Sequence, residues 1–208
     1  MATKKALVID DEQIVLDSVG KILSSETYQV DRTLKAQKGI KMALEEPYDV
    51  VLTDIRMPDI GGLIVLRDIK RQKPSLPVVI ITGYATVRSA VQAMQLGASD
   101  YIEKPFTPEQ LIRSIAAAIE LEKSQTPEEQ VLVHKSEVLK VIDRLARDDN
   151  FKKNLLYNGT EVLFDYDLTK AEMLAIITGD LLWIEEQIGP LTQDQRKWFE
   201  SRIGAEIW

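Results

Sequence analysis

The sequence predicts an α/β fold, in which an open parallel sheet is covered by helices on both faces and is followed by a smaller all-α domain. Three observations predict it. Five short apolar runs alternate with five helix-periodic segments over residues 1–123. Several of these runs are continuous aliphatic stretches, which are typical of strands buried on both faces. From residue 124 onwards helical patterns continue and no strand pattern appears.

The predicted strands and helices form a fivefold βα repeat. The first, third and fourth strands are the most aliphatic, so we expect the second and fifth to be peripheral. The helices carry apolar residues three or four positions apart. The strands are Lys5–Ile9, Gln29–Leu34, Tyr48–Thr53, Pro77–Thr82 and Asp100–Glu103, and the helices lie near 12–24, 36–46, 61–72, 85–96 and 108–122.

A polar stretch at 123–125 interrupts the periodicity, and we place a boundary there between domains 1–123 and 124–208. Helix-start residues and glycine stops divide the second domain into short helices. We expect helices from Thr126 to about residue 147 and near 150–157, 161–166, 170–178, 181–188 and 193–206, with caps at Asp149, Thr169, Asp180 and Thr192 and stops at Gly159, Gly179 and Gly189.

Composition excludes several classes of site. The 208 residues include no cysteine and a single histidine, His134. Disulfides, thiolate zinc sites, cysteine nucleophiles and histidine-rich metal sites are therefore excluded. The apolar runs are far shorter than the ~18 residues of a membrane helix, and the first residues continue directly into a strand pattern. We expect a soluble, cytoplasmic protein with no membrane partner.

Acidic charge is concentrated in the second domain. Residues 1–123 contain 16 Lys and Arg against 17 Asp and Glu, a net charge of −1, whereas residues 124–208 contain 10 against 16, a net charge of −6. Nucleic-acid affinity comes largely from Lys and Arg that displace counterions from phosphates. The charge therefore argues against nucleic acid as a partner of the second domain, although an acidic solvated surface is its simplest explanation.

Side chains suited to phosphate chemistry follow four of the predicted strands. Asp10 and Asp11 come directly after the first strand, Asp54 after the third, Thr82 at the end of the fourth and Lys104 after the fifth. The carboxyl ends of parallel strands meet at one edge of an open sheet, so we expect these side chains to converge. Aspartate after a strand is often only a cap or a turn residue. Five suitable residues at matching positions argue against that explanation.

If the carboxylates of Asp10, Asp11 and Asp54 converge, they need positive charge beside them, since like charges ~4 Å apart repel by about 4 kcal/mol at an effective dielectric near 20. Lys104 supplies one positive charge, and an oxygen-only site suits Mg²⁺. A carboxylate can accept a phosphoryl group covalently, and a cation, an ammonium and the Thr82 hydroxyl can neutralise the transferred oxygens. We therefore predict that Asp54 is a phosphoacceptor. We expect the protein to have no enzyme activity beyond the phosphorylation and dephosphorylation of Asp54.

The motifs that carry these residues resemble the receiver domain of two-component response regulators. The resemblance covers residues 4 to about 122, and the motifs follow in the family's order and spacing, most like receivers of the nitrogen-regulator class. It implies a CheY-like, flavodoxin-like fold. The motifs are Leu7–Glu12, Asp49–Asp59 with Gly62, Ile81–Tyr84 and Asp100–Phe106.

The resemblance implies the partner, the cofactor and the metal ligands. A sensor histidine kinase would donate a phosphoryl group from its phosphohistidine to Asp54. Asp11 and Asp54 would bind Mg²⁺ together with the backbone carbonyl of Arg56, and Asp10 would hold a metal-bound water. The bond between Lys104 and Pro105 would be cis.

The resemblance also implies a conformational switch. Thr82 and Tyr101 would form the switch pair, which reshapes the face made by the fourth helix, the fifth strand and the fifth helix. A phosphorylation-dependent homodimer through this face is one expectation. Arg56 and Tyr84 occupy positions that tune the lifetime of the phosphoryl group in the family.

The second domain is less informative. The segments Phe151–Leu156, Tyr166–Glu172 and Gly179–Leu182 faintly resemble the small helical subunit of extradiol aromatic-ring dioxygenases, which implies an interaction module for an unknown downstream protein. Two rivals stay open, a divergent DNA-binding domain and an enzyme. His134 is a weak candidate for phosphotransfer against an ordinary solvated histidine. The aromatic residues of this domain either fill a small core or form a docking surface: Trp183, Trp198, Phe199 and Trp208.

Overall fold

The computed structural model describes residues 3–124 and 134–200. The chain divides into two compact units, residues 1–128 and 129–208, which are considered separately. The predicted boundary after residue 123 stays a prediction. No helix in the described ranges is both long and apolar enough to span a membrane.

The first unit contains a five-stranded, all-parallel sheet in the order β2-β1-β3-β4-β5. The reversal of strand order between β1 and β3 is the switch point at which open α/β sheets bind ligands. The predicted flavodoxin-like fold and the peripheral positions of the second and fifth strands are confirmed. The strands are β1 (Lys4–Ile9), β2 (Tyr28–Thr33), β3 (Val50–Thr53), β4 (Val78–Thr82) and β5 (Asp100–Glu103).

Every residue of β3 and β4 is buried, as expected for aliphatic strands covered on both faces. Apolar side chains of β1, β3 and β4 form one core with those of the flanking helices. Helices connect the strands within one or two residues of the predicted bounds. They are α1 (Gln13–Ser25), α2 (Ala36–Glu45), α3 (Gly62–Gln72), α4 (Val87–Gln95) and α5 (Pro108–Ser124).

The register of the ladders aligns the carboxyl ends of the strands. Ile9 of β1 is paired with Thr53 of β3, and Thr82 of β4 is paired with Glu103 of β5. The residues that follow these pairs therefore leave the sheet at the same edge. The predicted cis bond between Lys104 and Pro105 is also present at this edge.

The described part of the second unit is helical. The predicted caps Thr169 and Asp180 accept backbone N–H bonds at the starts of their helices, and the predicted stops Gly159, Gly179 and Gly189 follow the ends of theirs. The helices are α6 (Lys135–Arg147), α7 (Asp149–Asn158), α8 (Lys170–Thr178), α9 (Leu181–Ile188) and α10 (Gln193–Glu200).

Three predictions for this unit are wrong. Residues 161–166 do not form an α-helix; a 3-10 helix spans Gly159–Leu163 instead, and the N–H of Phe164 bonds to the carbonyl of Glu161, three residues earlier. The cap of α7 is Asp148 rather than Asp149, since the Asp148 carboxylate accepts the N–H groups of Asn150 and Phe151. The predicted helix from Thr126 to about residue 147 is not continuous, because α6 begins at Lys135 with His134 at its N-cap, and the predicted start itself lies outside the described residues.

Two of the four aromatic residues named in the sequence analysis belong to the core of the second unit. Trp198 and Phe199 are buried and pack edge to face, with ring centroids 4.9 Å apart. Trp183 is half-buried, and Trp208 lies outside the described residues. The side chain of His134 is about one-third exposed and lies beside the buried carboxylate of Glu172.

Candidate phosphoacceptor site

The ammonium group of Lys104 lies at the centre of the predicted site. Its Nζ donates to Oδ2 of Asp10 at 2.7 Å and to Oδ2 of Asp54 at 3.0 Å. It also approaches Oε1 of Glu12 at 3.3 Å. The convergence expected for Asp10, Asp54 and Lys104 from their positions after three different strands is thus present, and Glu12 joins them.

Extensions of the sheet ladder fix the backbone at this edge. The N–H of Asp54 donates to the carbonyl of Ile9 at 3.0 Å, one residue beyond β3. The N–H of Lys104 donates to the carbonyl of Thr82 at 2.8 Å, one residue beyond β5. Because these residues still belong to the ladder, their side chains are held by the rigid sheet rather than by a loop.

A glycine brings the start of α3 against the backbone of Asp54. A Cβ atom at Gly62 would lie 2.0 Å from the carbonyl oxygen of Asp54 and 2.9 Å from Cα of Ile55. The N–H of Gly62 donates to the carbonyl of Ile55 at 2.8 Å. Gly62 therefore lets the helix and the end of β3 touch through their backbones alone.

Burial makes the charges of the site interdependent. Asp10 and Asp54 are almost completely buried. Burial raises the pKa of Asp10 above its usual value, although the bonds from Lys104 and from the Glu12 N–H oppose the effect. Partial burial acts to lower the pKa of Lys104, but the bonds to Asp10 and Asp54 outweigh it and leave that pKa raised. The site therefore holds a firmly protonated ammonium between carboxylates.

The predicted switch residues lie at the neighbouring strands. Thr82 is fully buried at the end of β4, and its hydroxyl accepts the N–H of Tyr84 at 3.3 Å. The hydroxyl of Tyr101 shares a hydrogen bond of 2.8 Å with Oγ of Ser89 in α4. Burial raises the pKa of Tyr101, while the Ser89 bond acts to lower it. Tyr101 is thus connected to the first turn of α4.

Arg56 and Tyr84 form a contact beside the acceptor. The Arg56 guanidinium lies over the Tyr84 ring, 4.1 Å from its centroid, which is a cation–π geometry. The backbone N–H of Arg56 donates to Oδ1 of Asp54 at 3.2 Å. The two residues that the resemblance connects with phosphoryl lifetime are therefore in contact.

The carboxylates at this edge supply oxygen donors. Asp10, Glu12 and Asp54 each offer a carboxylate oxygen, and these oxygens lie within 4.8 Å of one another. Such all-oxygen donors suit Mg²⁺. Asp11, the predicted ligand, is exposed and is not part of this group.

Comparison with known proteins identifies the first unit. The family model described as "Response regulator receiver domain" matches residues 6–116, which is just over half of the chain. The chain belongs to the response regulator receiver family. Receivers of this kind act in two-component signalling, and the family is generally one of non-enzymatic signalling domains.

Relatives of this receiver include an NtrX-like response regulator and a cell cycle response regulator. A putative NtrX-like response regulator of Rickettsia bellii is 34% identical over 125 residues, which cover 59% of this chain and 26% of that protein. The cell cycle response regulator CtrA of Brucella ovis is 33% identical over 119 residues, which cover 57% of this chain and 51% of that protein. The chain thus spans between a quarter and a half of these relatives.

Solved receivers share the fold. The crystal structure of the receiver domain of NtrX from Brucella abortus is 37% identical with a TM-score of 0.53, covering 55% of this chain and 98% of that one. A CheY-like receiver domain protein from Methanospirillum hungatei is 30% identical with a TM-score of 0.56, covering 60% of this chain and all of that one. The family match ends at residue 116, so the assignment of the second unit stays a prediction.

Two contacts at the receiver site were absent from the sequence-based prediction. Glu12 directly follows the Asp10-Asp11 pair, which is a visible signal, but its contact with Lys104 depends on the reach of its side chain. Ser89 carries no signal of its own, because it is one of several small residues in α4 and its bond to Tyr101 depends on the packing of the helix.

Proposed function

We propose that this chain is a response regulator of a two-component phosphorelay. It accepts a phosphoryl group from a sensor histidine kinase on Asp54 and passes the signal on through its helical domain, residues 124–208. The observation that carries the proposal is the buried carboxylate of Asp54, held at the switch-point edge of the sheet with the Lys104 ammonium 3.0 Å from it.

In the proposed transfer, an oxygen of Asp54 bonds to phosphorus as the bond between phosphorus and the imidazole nitrogen of the donor breaks. The electron pair of the broken bond stays on the imidazole. Lys104 neutralises negative charge on the transferred oxygens, and the hydroxyl of Thr82 is the hydrogen-bond donor for one of them. Their positions at the ends of β4 and β5 support these roles.

Mg²⁺ is the proposed cofactor, and when bound it would draw the attacking carboxylate and the phosphoryl oxygens together and neutralise their charge. Asp11, Asp54 and the backbone carbonyl of Arg56 would bind the ion, and Asp10 would hold a metal-bound water. The chain has no cysteine, and its single histidine lies in the second unit, so the oxygen donors of this edge are the appropriate ligands.

We propose that the output of the protein is a contact with another protein. The net charge of −6 on residues 124–208 supports a protein partner over nucleic acid, because an acidic surface repels phosphates. A homodimer through the face formed by α4, β5 and α5 is a further proposal for the phosphorylated state. The downstream partner is unidentified.

Phosphorylation of the full chain tests the proposal. With acetyl phosphate and Mg²⁺, the wild-type protein is expected to incorporate radioactive phosphate, and Asp54→Asn is expected to incorporate none. Asp59→Asn is the matched control, because Asp59 lies five residues away in the same loop and is exposed. Equal labelling of Asp54→Asn and wild type would refute the assignment.

A gel-shift titration tests the output. The full chain is expected not to bind duplex DNA at moderate salt, whether or not it is phosphorylated. Binding that weakens steeply as salt increases would instead support a transcriptional regulator with a divergent DNA-binding domain.

A further inference from the structure

Glu12 contributes a third carboxylate to Lys104, outside the ligands and acceptor assigned above. We propose that Glu12 is a positioning residue: it holds the third N–H group of Lys104 in the unphosphorylated protein and gives it up to a phosphoryl oxygen when Asp54 is phosphorylated. The inference rests on the proposed phosphorylation of Asp54. The inference extends that proposal by naming Glu12 as the residue that competes with an incoming phosphoryl group for Lys104.

The number of donors on Lys104 requires such an exchange. An ammonium group has three N–H donors. In the structure three carboxylates surround it, Asp10 at 2.7 Å, Asp54 at 3.0 Å and Glu12 at 3.3 Å. A phosphoryl oxygen would be a fourth acceptor, so one of the three existing contacts must lengthen.

Glu12 is the contact that is released at the lowest cost. Its bond is the longest, and its side chain is 57% exposed, so water can replace Lys104 around the carboxylate. The side chains of Asp10 and Asp54 are only 2% and 5% exposed. While the donor approaches, Asp54 is still a carboxylate, so releasing either Asp54 or Asp10 would leave a buried charge without its cationic partner, which is much more costly.

The same geometry argues that Glu12 acts on the ammonium and not on the metal. Oδ2 of Asp10, Oδ2 of Asp54 and Oε1 of Glu12 all lie within 3.3 Å of Nζ of Lys104. A divalent cation between them would displace Lys104 or be repelled by it. The other oxygen of Asp10 accepts the backbone N–H of Glu12 at 2.9 Å, and the other oxygen of Asp54 accepts the backbone N–H of Arg56 at 3.2 Å. These oxygens are the ones suited to the metal side of the site.

Glu12 has no structural task that would confuse a test. It occupies the N-cap position of α1, but its side chain makes no capping hydrogen bond. Glutamine at this position has nearly the same size and keeps an oxygen acceptor, but it loses the charge that competes for Lys104. The substitution Glu12→Gln is therefore expected to leave the fold unchanged.

Removing the charge should speed phosphorylation by an anionic donor. The Glu12 carboxylate places one further negative charge beside the path of an approaching phosphate, and Glu12→Gln removes that charge. Coulomb's law for charges ~7 Å apart in a water-like dielectric gives about a threefold effect, and release of the third N–H donor adds to it. We expect a rise of about three- to tenfold in the rate, which diminishes at high salt because Glu12 is exposed.

The experiment compares the rates at which acetyl phosphate with Mg²⁺ labels four full-length proteins. Glu12→Gln is expected to be about three- to tenfold faster than wild type. Glu12→Asp keeps the charge but is one methylene too short for the contact, so its rate should lie between the two. Glu120→Gln, an exposed residue near the far end of α5 with the same change in charge, should match wild type. Beryllium fluoride, an anionic analogue of the phosphoryl group, should bind Glu12→Gln more tightly by a similar factor.

Each outcome decides between the explanations. Equal rates for Glu12→Gln and wild type would overturn the inference while leaving the phosphorylation of Asp54 intact. If Glu12→Asp behaves like wild type while Glu12→Gln is faster, charge alone is responsible and the exchange of the contact is wrong. If calorimetry shows that Glu12→Gln binds Mg²⁺ more than tenfold more weakly, Glu12 is a metal ligand instead. If the wild-type protein is not labelled and does not bind beryllium fluoride, the proposed function fails together with the inference.

Discussion

At the scale of single residues, Gly62 shows how closely α3 approaches the backbone of Asp54. A methyl group at this position would collide with the backbone carbonyl of Asp54 at 2.0 Å, and backbone atoms cannot move aside as a flexible side chain can. Gly62→Ala is expected to destabilise the first unit by about 3 kcal/mol, the upper part of the range for overpacked sites. It should also slow labelling by acetyl phosphate, because the Asp54 backbone must shift.

The adjacent glycine provides the control. A Cβ at Gly61 would lie 3.5 Å from the carbonyl oxygen of Ile55, which is an ordinary contact. Gly61→Ala is expected to change the free energy of unfolding by less than about 1 kcal/mol, as an N-cap substitution. Urea unfolding and labelling rates measure both variants. Equal effects at the two positions would contradict the role of the close approach at Gly62.

The residues of the site were predictable to the extent that they follow strands. Asp10, Asp54 and Lys104 converge because the sheet forces the ends of parallel strands together, and only the topology was needed to predict this. Which of the three consecutive acidic residues contact Lys104 was not predictable, because that depends on the reach of each side chain. In the structure Asp10 and Glu12 both contact Lys104.

At the scale of elements, an ion-pair cluster connects β1 and β2 to the end of α2. Nζ of Lys5 lies 2.9 Å from Oδ2 of Asp31 and also binds Glu46, and the hydroxyl of Tyr48 donates to Asp31 at 2.7 Å. Burial acts to raise the pKa of Asp31, but the bonds from Lys5 and Tyr48 outweigh it and leave that pKa lowered. The bonds to Glu46 and Asp31 raise the pKa of Lys5.

These shifts predict how Asp31→Asn depends on pH. A carboxylate with a lowered folded pKa stabilises the fold above its unfolded value, here 3.8, and the contribution is lost as pH falls through the folded pKa. The raised pKa of Lys5 keeps its contribution intact below its unfolded value of 10.5, and the contribution is lost as pH rises through the folded pKa. At neutral pH, the urea concentration at the midpoint of unfolding should therefore be higher for wild type than for Asp31→Asn. The difference should shrink below pH 3.8, and a gap that does not change with pH would contradict the assignment.

The first turn of α4 is connected to β5 through one serine. Oγ of Ser89 accepts the Thr86 N–H at 3.0 Å within a capping box and shares a bond with the hydroxyl of Tyr101.

Ser89→Ala removes both contacts, and the loss of a cap costs about 1 kcal/mol. Hydrogen exchange of the α4 amides should become about fivefold faster, whereas Ser75→Ala, in the exposed loop before β4, should have no effect. Unchanged protection in Ser89→Ala would show that Tyr101 is not held through α4.

Elements with strong periodicity were predicted well, and short elements near glycines were not. The buried strands β3 and β4 were visible as aliphatic runs because they are covered on both faces. The 3-10 helix Gly159–Leu163 was not distinguishable from an α-helix, since five residues are too few to show which hydrogen-bond pattern they follow. The cap at Asp148 was missed because two consecutive aspartates are equally good caps on paper.

At the scale of the whole molecule, the chain consists of two units with separate cores. The first unit contains the complete sheet, its five helices and every residue of the proposed phosphoacceptor site. A fragment of residues 1–124 is therefore expected to fold and to be labelled by acetyl phosphate within about twofold of the full-chain rate. Circular dichroism and labelling test this, and a fragment that folds but is not labelled would show that the second unit takes part in the chemistry.

The central claim is that Asp54 carries the phosphoryl group, and the most direct test is to locate that group in the wild-type protein. Borohydride reduction converts an aspartyl phosphate to homoserine, which mass spectrometry of peptides can assign to one position. After incubation with acetyl phosphate and Mg²⁺, homoserine is predicted at position 54, and none is predicted when Mg²⁺ is removed. Homoserine at another aspartate, or its absence from a protein shown to be labelled, would contradict the account.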